Sequence, residues 1–497
     1  MNTLDQCGYR AHPLRFFAGV GLAIVLVGCA SGPDFRPPDA PEVSRYTDTD
    51  LPERTASAVG PQGDSQRFIE AASVAQQWWR ELGSAKLDTL INQAFQTSPT
   101  LASARATLRQ AEQIYAARAG STRYPQVDAS LGGQRQRISP TASGQTGEAQ
   151  EFNLYNANVG VHYQLDLAGG NRRALEALAA RADYQHFQLE GARLSLAATI
   201  TTTAVTQARL SAQIQAMERI LGAQEEQLGM ARERLRLGQA MLDDILALQT
   251  QVEQTRADIV PLRQQAAQNQ HLLAVLAGRA PGAGGMPTFE LEDFTLPVEL
   301  AVVVPSELVR QRPDIQAAEA LLHAANAEYG VAISQIYPQL NLSANLGSQA
   351  LTTGALFGNG SAVWSLIGQL IQPLFNPGLS AEERAALAAF DAAAANYQSV
   401  VLESMRNVAD VLRALDHDAQ ALAAQAAAEA SAQASLQSMQ RQYALGAISY
   451  LQLLTAQQQA QQVHITLIAV QSQRLIDTVL LYQAMGGGQG RRMMSSY

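Results

Sequence analysis

The sequence predicts a mixed α+β chain in which one unit is written twice, each copy joining two strands to a very long helical hairpin. Three observations carry that prediction. Motifs recur in the same order at nearly constant offset, four stretches alternate apolar with polar residues, and two proline-free runs are long enough for helices of roughly 100 Å.

The repeat organises everything else. Ser98-Pro99 opens a helical stretch that ends at Tyr124-Pro125-Gln126-Val127, and Arg312-Pro313-Asp314-Ile315 opens another that ends at Tyr337-Pro338-Gln339-Leu340. The second proline and the second tyrosine lie 214 and 213 residues after the first ones, and Leu445-Gly446 lies 208 after Leu237-Gly238. The first unit is expected over 66–280 and the second over 306–486, followed by a tail at 487–497. Between the units, 281–305 holds Pro281, Gly282, Gly284, Gly285, Pro287 and Pro297 and reads as a linker.

Ahead of the first unit stands an address. Arg10, His12 and Arg15 precede the 12-residue apolar run Phe16–Val27, which is short of the roughly 20 residues a spanning helix needs. A basic region, a short apolar region and small residues at the cut describe a secretory signal over 1–28. Because the small residues end in Leu26-Val27-Gly28-Cys29, the run resembles a bacterial lipobox. That resemblance implies cleavage after Gly28 and acylation of Cys29, with Ala30 favouring the outer membrane; the alternative is a plain secretory signal that contains a cysteine. Residues 29–65, rich in Pro, Asp, Gly and Ser, read as a lipidated, extended tether.

The alternating stretches come next, at about 126–138, 152–167, 339–350 and 361–375. In the second, Tyr155, Ala157, Val159, Val161, Tyr163 and Leu165 share one face, while Asn156, Asn158, His162 and Gln164 share the other. An ordinary half-buried strand of a soluble sheet has the same period. Tyr155 and Tyr163 bracket the apolar stripe as aromatic girdles do in outer-membrane barrels, and the eight steps between them span roughly 26 Å, near the height of the apolar band. Four strands cannot close a barrel, since single-chain barrels begin at about eight. Closure therefore requires several copies of the chain, and three copies would supply twelve strands.

Each pair of strands leads into a hairpin, expected over about 171–277 and 381–485. Val401, Met405, Val408, Leu412, Leu415, Ala419 and Leu422 follow a heptad spacing, and Leu210, Ile214, Met217 and Leu221 form a second seam. Leu237-Gly238 and Leu445-Gly446 break the long helices, glycine past a helix end being the usual stop. Pro261 falls inside the first returning helix and is expected to kink it.

Composition excludes several function classes. Hydrophobic residues make up 47%, aromatics 6% and charged residues 16% of the 497, with net charge −9. Small alanines supply much of the apolar share, which suits closely packed helices. Acidity and the single lysine, Lys86, argue against nucleic-acid binding. Cys7 and Cys29 are too few for a disulfide scaffold or a cysteine-rich metal site. The seven histidines are scattered without a metal spacing, and no nucleophile elbow or phosphate loop occurs. Asp243-Asp244 are adjacent on a helix and point apart by about 100°. No enzymatic activity is expected, and no cofactor beyond covalent lipid on Cys29.

Further motifs carry a family resemblance. Gln77-Trp78-Trp79-Arg80 precedes Leu87-Asp88-Thr89-Leu90; Leu308-Val309-Arg310-Gln311-Arg312-Pro313-Asp314-Ile315 continues through Ala317-Ala318-Glu319 to Tyr337-Pro338-Gln339; and Leu481-Tyr482-Gln483-Ala484-Met485-Gly486-Gly487 closes the second unit. In this order they resemble the outer membrane factor family of TolC-like exit ducts, in its lipoprotein branch serving RND-type efflux pumps (NodT-type). The resemblance implies a homotrimeric twelve-stranded barrel in the outer membrane, continued by a periplasmic helical tunnel. It implies a periplasmic adaptor and an inner-membrane RND-type or other export pump as partners, and small amphiphilic compounds as cargo. It assigns adaptor docking to two hairpin tips, Arg234, Leu237, Gly238 and Leu242 with Arg441, Leu445, Gly446 and Tyr450, where Leu-Gly otherwise merely ends a helix. It places a closed gate at the periplasmic end of the duct, at Asp410 with Arg406, where the plain alternative is a solvated surface pair. The competing readings are a protein-secretion duct of the same family and a periplasmic coiled-coil adaptor lipoprotein with no pore.

Overall fold

In the computed structural model of the chain, residues 31–71, 73–140, 144 and 146–488 are described. The signal segment 1–28, Cys29 and residues 489–497 of the tail lie outside them. Helices dominate. Ser84 caps α1 (Ala85–Thr97), and Pro99 starts α2 (Pro99–Arg123) at the position where a missing N–H costs nothing. The chain then rises through β2 (Gln126–Ile138) and descends through β3 (Gln150–Leu165) into α3 (Gly170–Arg236), which returns as α4 (Leu242–Leu276). The second unit repeats the order with α5 (Pro313–Ser334), β5 (Gln339–Ala350), β6 (Ala362–Ile371), α6 (Pro377–Ala444) and α7 (Tyr450–Ala484). Two short strands, β1 (Arg67–Glu70) ahead of α1 and β4 (Glu299–Val302) ahead of α5, pair in parallel apart from the large sheet.

The large sheet is antiparallel in the order β2-β3-β5-β6, so the two copies of the strand pair meet at β3 and β5. Each strand continues into a helix, and the helices keep the order of the strands: α2 packs on α3, α3 on α5, and α5 on α6. Farther from the sheet the same long helices are accompanied by the returning ones, α4 on α3 and α7 on both α3 and α6. At every level one chain presents a layer four helices wide. The heptad residues Val401, Val408, Leu412, Leu415, Ala419 and Leu422 are all buried in this layer, with Met405 half-buried beside them. α4 runs on through Pro261 as one helix, with the proline ring on its exposed side.

Three expectations need correction. The final strand ends at Ile371 rather than 375, because Pro373 lacks the donor a strand needs and Asn376-Pro377 begins α6, the Asn376 side chain accepting from Gly378 N at 3.0 Å. Segment 281–305 is not a loose linker. It contributes β4 and buries Phe289, Phe294, Leu296, Leu300 and Val303 in the main core, alongside Trp78, Leu82, Leu87 and Ile91 from the segment before α1 and from α1 itself. That core lies halfway down the long helices, against Ile200 and Val205 of α3, Val408 and Leu412 of α6, and Leu475 and Val479 of α7. The described part of the tether, from Ser31 to 65, has little regular structure yet is bonded to the body at Ser31, Tyr46, Thr49 and Gln62.

Candidate functional site

The four-stranded sheet carries an apolar face that its register makes continuous. Val159 lies opposite Ala129 on one side and Leu346 on the other, and Leu346 lies opposite Trp364. Below that row, Val161 aligns with Val127 and Ala344, and Ala344 with Leu366. Because successive strand residues point to opposite faces, these positions share one side. Leu131 and Trp364 on it are 83% and 78% exposed, and contiguous exposed apolar surface marks a contact with lipid or with another protein. The reverse face carries Asp128, Ser130, Asn156, Asn158, His162, Asn341, Ser343 and Asn345. On the apolar face the Tyr155 ring packs over Gly133, its nearest carbon 3.2 Å from where a Cβ would stand, and Tyr163 pairs with Leu342 near the opposite end. Among the described residues, β2 and β6 each leave one edge unpaired. No described helix is long and apolar enough to cross a membrane.

Beneath the sheet, the first described residues are clamped. Ser31 N donates to Ala168 O at 2.9 Å, just past the end of β3. The buried guanidinium of Arg173 donates to Ser31 O at 3.0 Å, Gly32 O at 3.2 Å, Asp34 Oδ1 at 2.7 Å and Glu176 Oε2 at 2.8 Å. Phe35 stacks on His323 with centroids 4.3 Å apart, and His323 Nε2 meets Glu176 Oε1 at 2.8 Å. The approach is close enough that a Cβ at Gly330 would come within 2.8 Å of Ser31 O. Sequence reasoning offered no sign of this clasp, because nothing in the order of residues pairs Arg173 with residues 31–34.

A second clasp lies at mid-length. Trp78 stacks on Tyr482 at 5.4 Å, the Tyr482 hydroxyl donates to Glu81, and burial raises the Tyr482 phenol above its ordinary range. Trp79 Nε1 and Arg80 Nε both donate to Asp88 Oδ1 at 2.9 Å, and the Arg80 bond holds that carboxyl below its usual value. The Trp-Trp-Arg motif and the C-terminal Tyr482 motif are thus two halves of one packed joint.

At the far end, the hairpin turns match each other. Gly238 and Gly446 have φ of +74° and +71°, and each closes the same cap: Gly238 N to Leu235 O with Gln239 N to Arg234 O, and Gly446 N to Tyr443 O with Ala447 N to Gln442 O. Leu237, Met241, Leu242, Leu445 and Leu451 project into solvent around them. Tyr450 does not project freely. Its ring meets Tyr443 edge-on at 5.7 Å and packs against the small core of Leu228, Ile245 and Leu248, so it ties the second hairpin to the first. Arg234 and Arg441 sit in the last turn of their helices, where a cation favours the helix dipole. Between the hairpins runs a cleft of 330 Å³ lined by Gln224, Gln227, Gln457 and His464 among others.

The structure corrects the place of the gate pair. Asp410 is 34 residues from the end of α6 at Ala444, roughly 50 Å along the helix, and so stands near mid-length rather than at the hairpin tip. Its carboxylate meets Arg406 Nη1 at 2.5 Å, and Arg406 also bonds Glu403. Both side chains are exposed, on the side of α6 away from the heptad seam.

Known proteins share this geometry. The sequence model of the family described as outer membrane efflux protein matches residues 90–279 and 304–487. The toluene efflux pump outer membrane protein TtgC of Pseudomonas putida is 31% identical over 479 residues, 94% of each chain. The probable outer membrane lipoprotein SilC of Salmonella typhimurium is 26% identical over 94% of this chain and 98% of its own. Among solved structures, the outer-membrane channel OprN superposes with a TM-score of 0.82 at 24% identity, covering 93% of this chain and 99% of that one.

Proposed function

The chain belongs to the outer membrane efflux protein family, and from that premise we propose that three copies close one duct through which an efflux pump expels small amphiphilic compounds. As an outer-membrane efflux channel the protein is not an enzyme. The observation that carries the reading is the apolar face running across all four strands of a sheet whose outer edges are both free. Exposed strand edges are a liability unless another chain pairs with them, and an apolar outer face is the signature of a lipid-facing barrel. Three four-helix layers would continue the barrel as a tube of twelve helices.

Within this reading Cys29 carries acyl chains in the same membrane. The clamped Ser31 lies at the end of β3, two residues after that cysteine in sequence, so a short stretch joins the lipid to the base of the barrel. The exposed Leu-Gly tips, with Arg234, Leu242 and Arg441, receive a periplasmic adaptor, and an inner-membrane pump supplies the energy that this chain cannot. Small apolar or amphiphilic cargo is supported by the toluene pump to which TtgC belongs. Three Glu403–Arg406–Asp410 clusters, each with one uncompensated negative charge, would favour cations at mid-length of the tube. Replacing Asp410 with Ala should weaken cation over anion preference in single-channel recordings; unchanged selectivity refutes that assignment. The duct itself is tested by deleting the gene and measuring accumulation of a fluorescent amphiphile. Accumulation should rise and return to normal with the wild-type gene, and unchanged accumulation argues against the reading.

A further inference from the structure

The outermost helices of the layer are α2 and α6, just as β2 and β6 are the outermost strands. α2 packs on α3 through Leu101, Leu108 and Tyr115, and its opposite side, Ala106, Gln113, Ala117 and Gly120, is exposed. α6 packs inward through Tyr397 and Val401, and its opposite side, Ala381, Ala388, Ala392 and Ala395, is likewise exposed. A sheet that closes through several copies sets β2 of one copy beside β6 of the next. The two bare helix faces then meet, antiparallel, with side chains small enough for close approach.

The charges beside these faces are complementary. α2 carries Arg105, Arg109, Arg118 and Arg123 against Glu112, whereas the first five turns of α6 carry Glu382, Glu383 and Asp391 against Arg384. Their heights agree as well. Arg109 lies 14 residues from the sheet-side end of α2 at Arg123, and Asp391 lies 14 residues from the sheet-side end of α6 at Pro377. Arg118 and Glu382 each lie 5 residues from those same ends. At about 100° per residue, Arg109 lies about 50° from the middle of the bare face of α2 and Asp391 about 70° from that of α6, whereas Arg118 and Glu382 are turned more than about 100° away. Antiparallel helices turn in opposite senses when viewed from one end, which brings Arg109 and Asp391 to the same side of the layer. Among the described residues, Arg109, Glu382 and Asp391 have no hydrogen-bond or ion-pair partner within the chain, and Arg118 meets only the Asn171 amide oxygen, at 3.1 Å.

We propose that Arg109 pairs with Asp391 of the next copy, so that an ion pair beside the seam between chains fixes the height at which neighbours assemble. This rests on the closed trimer proposed above. A slip of one helical turn, about 5.4 Å, would break the pair. Such exposed pairs act on register and partner choice more than on affinity.

The test uses full-length protein in detergent and a short thiol-reactive cross-linker. Arg109→Cys with Asp391→Cys should give covalent dimers and trimers. The single variants and the mismatched Arg109→Cys with Glu382→Cys should not. In parallel, Arg109→Asp and Asp391→Arg should each lower the temperature at which the trimer dissociates, and their combination should restore it. A wild-type protein that is monomeric by native mass overturns the trimer reading itself. A trimeric protein whose matched cysteine pair does not cross-link, or whose charge swap does not restore stability, overturns the pairing alone.

Discussion

Gln66 and Arg474 meet inside the middle of the molecule, where Arg474 Nη2 donates to Gln66 Oε1 at 3.1 Å and both side chains are buried. The same guanidinium donates to Gln62 O at 2.6 Å and Asp64 O at 3.1 Å, while Gln66 Nε2 donates to Pro297 O at 3.0 Å. One arginine of α7 therefore binds the segment before the first unit, and its glutamine partner binds the segment between the units. Arg474→Met removes several charge-assisted bonds to otherwise unsatisfied carbonyls, a loss on the order of 3 kcal/mol. It should lower the unfolding temperature and open the 54–66 segment to limited proteolysis, whereas an exposed control such as Arg441→Met should do neither.

One turn farther along α7, Asp477 is buried, Gln473 donates to its Oδ1 at 2.9 Å, and its Oδ2 has no donor. Burial first, and then the neighbouring Asp418 carboxyl, push its pKa up to about 8. The folded chain thus holds a proton there that the unfolded chain releases near the ordinary carboxylate value of about 4. Stability from this site is greatest below pH of about 4 and falls as the pH rises toward about 8, by at most about 1.4 kcal/mol per pH unit. Asp477→Asn should flatten that part of the profile in denaturant titrations across the range. An unchanged slope would count against a proton held at Asp477.

At the hairpin tips nothing lies within 4 Å of a Cβ built on Gly238 or Gly446, although both have positive φ. Substitution by Val therefore costs backbone strain of about 1–2 kcal/mol without a clash inside the chain. The fold and the assembled state should survive, so lost efflux would report on the surface shown to the adaptor. Efflux that stays intact in both variants would remove the docking role from the tips.

The two faces of the sheet should respond oppositely to charge. Leu366→Arg places a cation on the apolar face and should destabilise the inserted protein by about 2–4 kcal/mol near the middle of the bilayer. Asn345→Arg, on the reverse face, should be tolerated. Refolding into lipid vesicles, followed by denaturant titration, compares them directly, and equal losses would contradict the face assignment.

Much of this architecture was legible because periodicity is local. The strands, the seam from Val401 to Leu422 and the Leu-Gly turns each declare themselves within a short window, and the tandem copy checks each against its counterpart. What the order of residues hid is long-range. Arg173 and Arg474 are ordinary helical arginines until folding places them on Asp34 and Gln66. Segment 281–305 looks like a linker because proline and glycine mark turns, yet Phe289 and Phe294 between those breaks fill the core. The height of Asp410 failed for a related reason: a motif can name a helix face, but on a helix of 68 residues only the count from both ends fixes the level.

Whether the chain builds a membrane-crossing duct with further copies of itself is decided by planar-bilayer recording of purified protein whose native mass is known. Trimers should produce discrete, cation-preferring conductance steps. Folded protein that stays monomeric, or trimers that leave the bilayer silent under every voltage and pH tried, would overturn the duct.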